Sequence, residues 1–161
     1  MSSGWENFLL AEVGASAALT GLIFVGVSIN LKRILGLPRL PSRALEALLL
    51  LLTVLVVSSL MLIPGQALRI MGFELLGVGL AVWVTMLFID INMLRVTKRK
   101  YRAHNWLLIA MNQLSLLPYI IAGVLVLLQG ANGLYWLPAA VLFSFVKAVV
   151  EAWVLLVEIN R

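Results

Sequence analysis

With 161 residues the chain is long enough for one modest domain in water, yet 63% of them are hydrophobic and only 12% are charged. Globular proteins are about half apolar and a quarter charged, so this chain cannot cover itself with polar surface, and its mean hydropathy of +1.08 makes lipid its solvent. The net charge of +5 does not point to nucleic acid, because the basic residues gather in two short segments between apolar runs, as membrane orientation and anionic headgroups require.

The absence of cysteine excludes disulfides, thiolate nucleophiles and cysteine metal sites. The lone histidine, His104, cannot build a polyhistidine site and reads as a residue at the cytoplasmic mouth of a helix. No cofactor and no metal site are expected.

A helix needs about 20 mostly apolar residues to cross the hydrocarbon layer, and five runs are long enough. The first runs from Phe8 to Leu31 and is closed by Lys32 and Arg33. It lacks a basic segment ahead of it, so it reads as a retained anchor and not as a cleaved signal. Gly14, Ala17, Ala18 and Gly21 share one of its faces, and small residues at this spacing let helix backbones approach closely. Gly14, Ala18 and Gly21 are therefore expected to pack inside the bundle or in an oligomer interface. The segment from Gly36 to Arg43 reads as a linker, because Pro38 and Pro41 lack backbone donors.

The second run is Ala44 to Ile63, followed by a tight turn at Pro64-Gly65-Gln66. The third is Ile70 to Leu94, followed by Arg95, Lys98, Arg99, Lys100 and Arg102. The fourth is Trp106 to Leu128 and ends in the turn Gln129-Gly130-Ala131-Asn132-Gly133; the fifth is Leu134 to Val157. The fold class is thus an all-α transmembrane bundle, residues 1–161 forming one domain.

Lys32, Arg33, Arg39 and Arg43 follow the first run and the Arg95–Arg102 cluster follows the third, whereas the opposite side shows only Arg69. The positive-inside bias makes the rich segments cytoplasmic, with the N-terminus out and the C-terminus in. Lys98, Arg99, Lys100 and Arg102 are expected to contact anionic headgroups. Trp5, Trp106, Tyr135 and Trp136 fall at expected interfaces, whereas Trp83 lies mid-helix.

An ionisable side chain in a spanning helix costs about 2.5–3.5 kcal/mol on insertion scales, so it needs a partner or a wet cavity. In the fifth run Ser144, Lys147, Glu151 and Glu158 fall on one narrow stripe. That stripe is either an i,i+4 ion pair snorkelling to the cytoplasm, the lining of a path, or an interface to a partner helix. The fourth run carries a matching face of Asn105, Asn112 and Tyr119, flanked by Gln113 and Ser115. By depth alone, Asp90, Asn112, Lys147 and Glu151 are candidates for one inner polar cluster. On the outer side Glu12 and Glu74 lie at one depth, with Arg69 near enough to neutralise either; together they could hold a proton or cation.

The stretch Gly14-Ala15-Ser16-Ala17-Ala18-Leu19-Thr20-Gly21-Leu22-Ile23-Phe24-Val25-Gly26-Val27-Ser28-Ile29-Asn30-Leu31, with Leu37-Pro38-Arg39-Leu40-Pro41 and Ile63-Pro64-Gly65-Gln66, resembles a group of small uncharacterised bacterial multi-pass integral membrane proteins. The resemblance covers about the first 70 residues. It implies a cell membrane location, the bacterial inner membrane, and brings no catalytic or binding residues with it.

Enzyme activity is not expected: there is no cysteine, no histidine pair, no serine with a base and no aspartate dyad. Two classes stay open. One is a non-enzymatic membrane subunit that forms homo-oligomers or binds another membrane protein. The other is a small ion or proton channel or transporter formed by oligomerisation, with Lys147 and Glu151 lining a polar path. Whether the Lys147 stripe faces protein or water separates them.

Overall fold

The computed structural model describes residues 3–37, 39–96 and 102–159, all of them in helices or the short turns between them. Lys98, Arg99 and Lys100 lie outside the described residues, as do the side chains of Arg102, His104 and Asn105.

Helix α1 spans Ser3–Ile29 and α2 spans Leu31–Gly36, separated by a break at Asn30. Helix α2 stops where Leu37 takes an extended backbone (φ −116°, ψ 121°), the conformation favoured ahead of a proline because proline's ring crowds the preceding residue. Helix α3, Leu40–Met61, begins earlier than the expected Ala44. Pro41 sits in its first turn, where the missing N–H would have had no intrahelical acceptor anyway. The early start carries Arg43 out of the linker and into a helix.

After α3 the chain turns through Gly65, whose φ of 71° suits glycine. Helix α4 spans Leu68–Val96 and α5 spans Arg102–Gln129, running on through Pro118. Gly130, at φ 70°, closes α5 and opens a 3-10 helix over Gly130–Trp136, and α6 follows over Leu137–Ile159. Among the described residues four stretches are long and apolar enough to cross a membrane: Gly4–Ile29, Leu40–Met61, Leu68–Arg95 and Trp106–Glu158. The last, at 53 residues, comprises most of α5, the 3-10 helix and most of α6.

Helices α3, α4, α5 and α6 pack in a ring, each against the next, and α1 leans on the outside of α3. The apolar stretch of α3 is 56% buried and that of α1 only 11%, which makes α3 the centre of the bundle and α1 its periphery. Between α1 and α6 an apolar groove of about 190 Å³ stays open, lined by Leu22, Ile23, Gly26, Val27, Leu155 and Leu156. The core is built on Leu50, Leu51 and Val54 of α3, with Leu75, Met86, Leu116 and Val141 from the rest of the ring. At one end Trp5 stacks edge-on against Tyr135 at 5.6 Å and ties α1 to the 3-10 helix.

Lipid is as apolar as leucine, so helices in a bilayer associate through close van der Waals contact, which small residues permit. Here such contacts lie between α4 and α5 and between the 3-10 helix and α5, where a Cβ on Gly133 would run into the Val126 backbone nitrogen. A Cβ on Gly123 would sit 2.8 Å from the Leu76 backbone nitrogen, and one on Gly72 would sit 2.8 Å from Leu127. On α1 the expectation of packing inside the bundle is not met: Gly14 and Gly21 have nothing within 4 Å of a Cβ position, and Ala18 is exposed. The face α1 turns inward carries Leu9, Ser16 and the edge of Ile23 instead.

Candidate functional site

The helical spacing of α3 puts Arg43 and Glu46 on the same inward side as Leu50 and Val54. On α6 the i,i+4 pair Lys147 and Glu151 faces α3, one turn beyond Ser144. Asp90 near the end of α4 and Asn112 on α5 complete the group, so every helix of the ring contributes. Lys147, Glu46 and Glu151 are each 1% exposed, Asp90 is 4%, Arg43 is 6% and Asn112 is fully buried.

These groups form one network. Arg43 Nη1 donates to Glu151 Oε2 at 3.2 Å, and Lys147 donates to Glu151 Oε1. Lys147 Nζ also lies 3.7 Å from Glu46 Oε2. Asn112 Nδ2 donates to Asp90 Oδ1 at 3.0 Å and to Glu46 Oε2 at 3.4 Å. Charges taken out of water are stable only when paired and hydrogen-bonded, which is why they gather here and do not scatter along the helices.

A polar seam continues above the cluster. Tyr119, fully buried, shares a hydrogen bond of 3.3 Å with the Ser144 hydroxyl. The Ser115 hydroxyl reaches the Met111 carbonyl at 2.9 Å and the Phe143 carbonyl at 3.2 Å, tying α5 to the backbone of α6. Trp83 of α4 donates through Nε1 to Gln113 of α5, which accounts for both mid-helix residues.

The structure thus brings Asp90, Asn112, Lys147 and Glu151 together. Lys147 does not snorkel; it is held inside by carboxylates of two helices. Arg43 and Glu46 were missed by sequence reasoning, Arg43 because it counted as a linker charge. The available signal was Glu46 itself, an acid near the start of an apolar run with Arg43 one helical turn before it. The outer carboxylates are served separately: Glu74 accepts from Gln66 Nε2 at 2.7 Å, and Glu12 keeps a buried Oε2 without a partner. Arg69 is exposed.

The cluster offers ion pairing and hydrogen bonding but neither a nucleophile nor a base aimed at an open site. Among the described residues no group of three His, Cys, Asp or Glu side chains is disposed to hold a metal ion. The chain matches no family model, no curated protein and no solved structure, so the chemistry of the cluster, not kinship, carries the functional reading.

Proposed function

We propose that the chain is a non-enzymatic subunit of the cell membrane, in bacteria the inner membrane, that works by forming oligomers or binding another membrane protein. In this reading it crosses the bilayer five times, through α1, α3, α4, α5 and α6, with its N-terminus out and its C-terminus in the cytoplasm. The basic residues Lys32, Arg33, Lys98, Arg99, Lys100 and Arg102 then face anionic headgroups on one side.

The observation that carries the reading is the direction of the Lys147–Glu151 stripe. It is turned onto α3 and closed by Arg43 and Glu46, so its charges serve the interior of the bundle. Function then falls to the outer surfaces. The α1 face with Gly14, Ala18 and Gly21 supports a partner-binding role, because it is small-residued, peripheral and open.

One observation favours the second reading, a small channel or transporter: the Tyr119–Ser144 seam leads from the cluster toward the other end of the bundle. Flux of protons and monovalent ions in proteoliposomes, wild type beside Lys147→Met, separates the two. The expected result is no flux above protein-free liposomes for either. A wild-type flux that Lys147→Met changes would replace the subunit reading with a conduction path.

A further inference from the structure

The central cluster sets Glu46, Asp90 and Glu151 against Arg43 and Lys147, three carboxylates against two cations. Arg43 and Lys147 both lean on Glu151, and Lys147 reaches Glu46 at 3.7 Å, so the surplus negative charge sits at the Glu46–Asp90 end. There three buried oxygens have no donor: Glu46 Oε1, Asp90 Oδ2 and Asn112 Oδ1. Asn112 spends its amide N–H groups on both carboxylates, and carboxyl and amide geometry keeps each orphan oxygen beside its bonded neighbour. Two carboxylates, from α3 and α4, therefore crowd one amide of α5. Asn112 is an independent pointer, because it is neutral, fully buried, and leaves its carbonyl oxygen unanswered inside the cluster.

An unpaired charge is expensive in a dry interior, and oxygen-only acceptors suit a hard cation or a proton rather than a soft metal. We propose that Glu46, Asp90 and Asn112 form a binding site for one small positive charge, a proton or a sodium-like ion, which completes the charge balance of the bundle. The other charged groups facing the site are Arg43, Lys147 and Glu151. The site rests on the membrane reading and not on the partner-binding one. Failure of the membrane reading would show separately, as protein recovered from cells without detergent.

The test is thermal unfolding of the purified full chain in detergent at several pH values, with sodium replaced by choline at constant ionic strength. A ligand held only by the folded state raises the melting temperature by mass action. A sodium ion gives a saturable rise of a few degrees at pH 8 that shrinks at pH 6, where protons compete. A resident proton gives stability that falls as pH rises, whatever the salt, because the folded state holds a proton the unfolded chain releases. In either case Asp90→Asn and Glu46→Gln, near-isosteric changes that remove the surplus charge, abolish the dependence while the protein stays folded. A wild-type melting temperature indifferent to both sodium and pH overturns the proposal, and so does a dependence that survives in both variants.

Discussion

Lys147→Met is the sharpest perturbation of the bundle, since methionine keeps most of the length and volume of lysine and removes its charge and its N–H donors. In the structure Lys147 bonds Glu151 and lies 3.7 Å from Glu46, and its loss leaves three carboxylates facing Arg43 alone. Removing one partner from a buried ion pair costs about 3–5 kcal/mol, whereas an exposed pair is worth only about 0–1 kcal/mol. With Lys147 only 1% exposed, the larger figure applies. For a chain of this size each kcal/mol moves the midpoint by about 2–4 °C, so thermal unfolding in detergent followed by circular dichroism should fall by roughly 6–20 °C. Adding Glu46→Gln to Lys147→Met should restore part of the loss, because it removes one of the stranded charges. A Lys147→Met variant that melts within a degree or two of wild type would refute the reasoning. It would mean that the ammonium is solvated and contributes no more than a surface pair.

Close packing gives a second contrast. Gly123→Leu should abolish correct assembly of α4 against α5, since even a Cβ there meets the Leu76 backbone at 2.8 Å. Gly21→Leu should leave the stability of the monomer within about 0.5 kcal/mol of wild type, the usual range for a surface change, because nothing lies within 4 Å of a Cβ there. Equal effects at the two positions would reject the packing described. If Gly21→Leu weakens self-association while sparing the fold, cross-linking through Ala18→Cys in this cysteine-free chain should capture the partner surface. Topology is checked by reporter fusions, with a site near Arg99 expected in the cytoplasm and one near Asn132 outside; the reverse pattern would overturn the orientation.

Much of the architecture was legible in the linear chain, because crossing a bilayer imposes a length and a composition on each helix that any sequence must display. The apolar runs, the turns at Gly65 and Gly130 and the pairing of Lys147 with Glu151 one helical turn on are all local facts of this kind. Depth alone was enough to nominate Asp90, Asn112, Lys147 and Glu151. What depth cannot say is which face of a helix meets which neighbour, since that depends on the rotation of each helix about its own axis. Tertiary packing therefore decided that Arg43 and Glu46 of α3 join the cluster, and that Asn112 divides its donors between Asp90 and Glu46. It also decided that the tight glycine contacts are made on α5, by α4 and the 3-10 helix, while Gly14 and Gly21 of α1 face outward. A glycine face reads the same in sequence whether another helix fills it or not; only the position of the neighbouring backbone tells them apart.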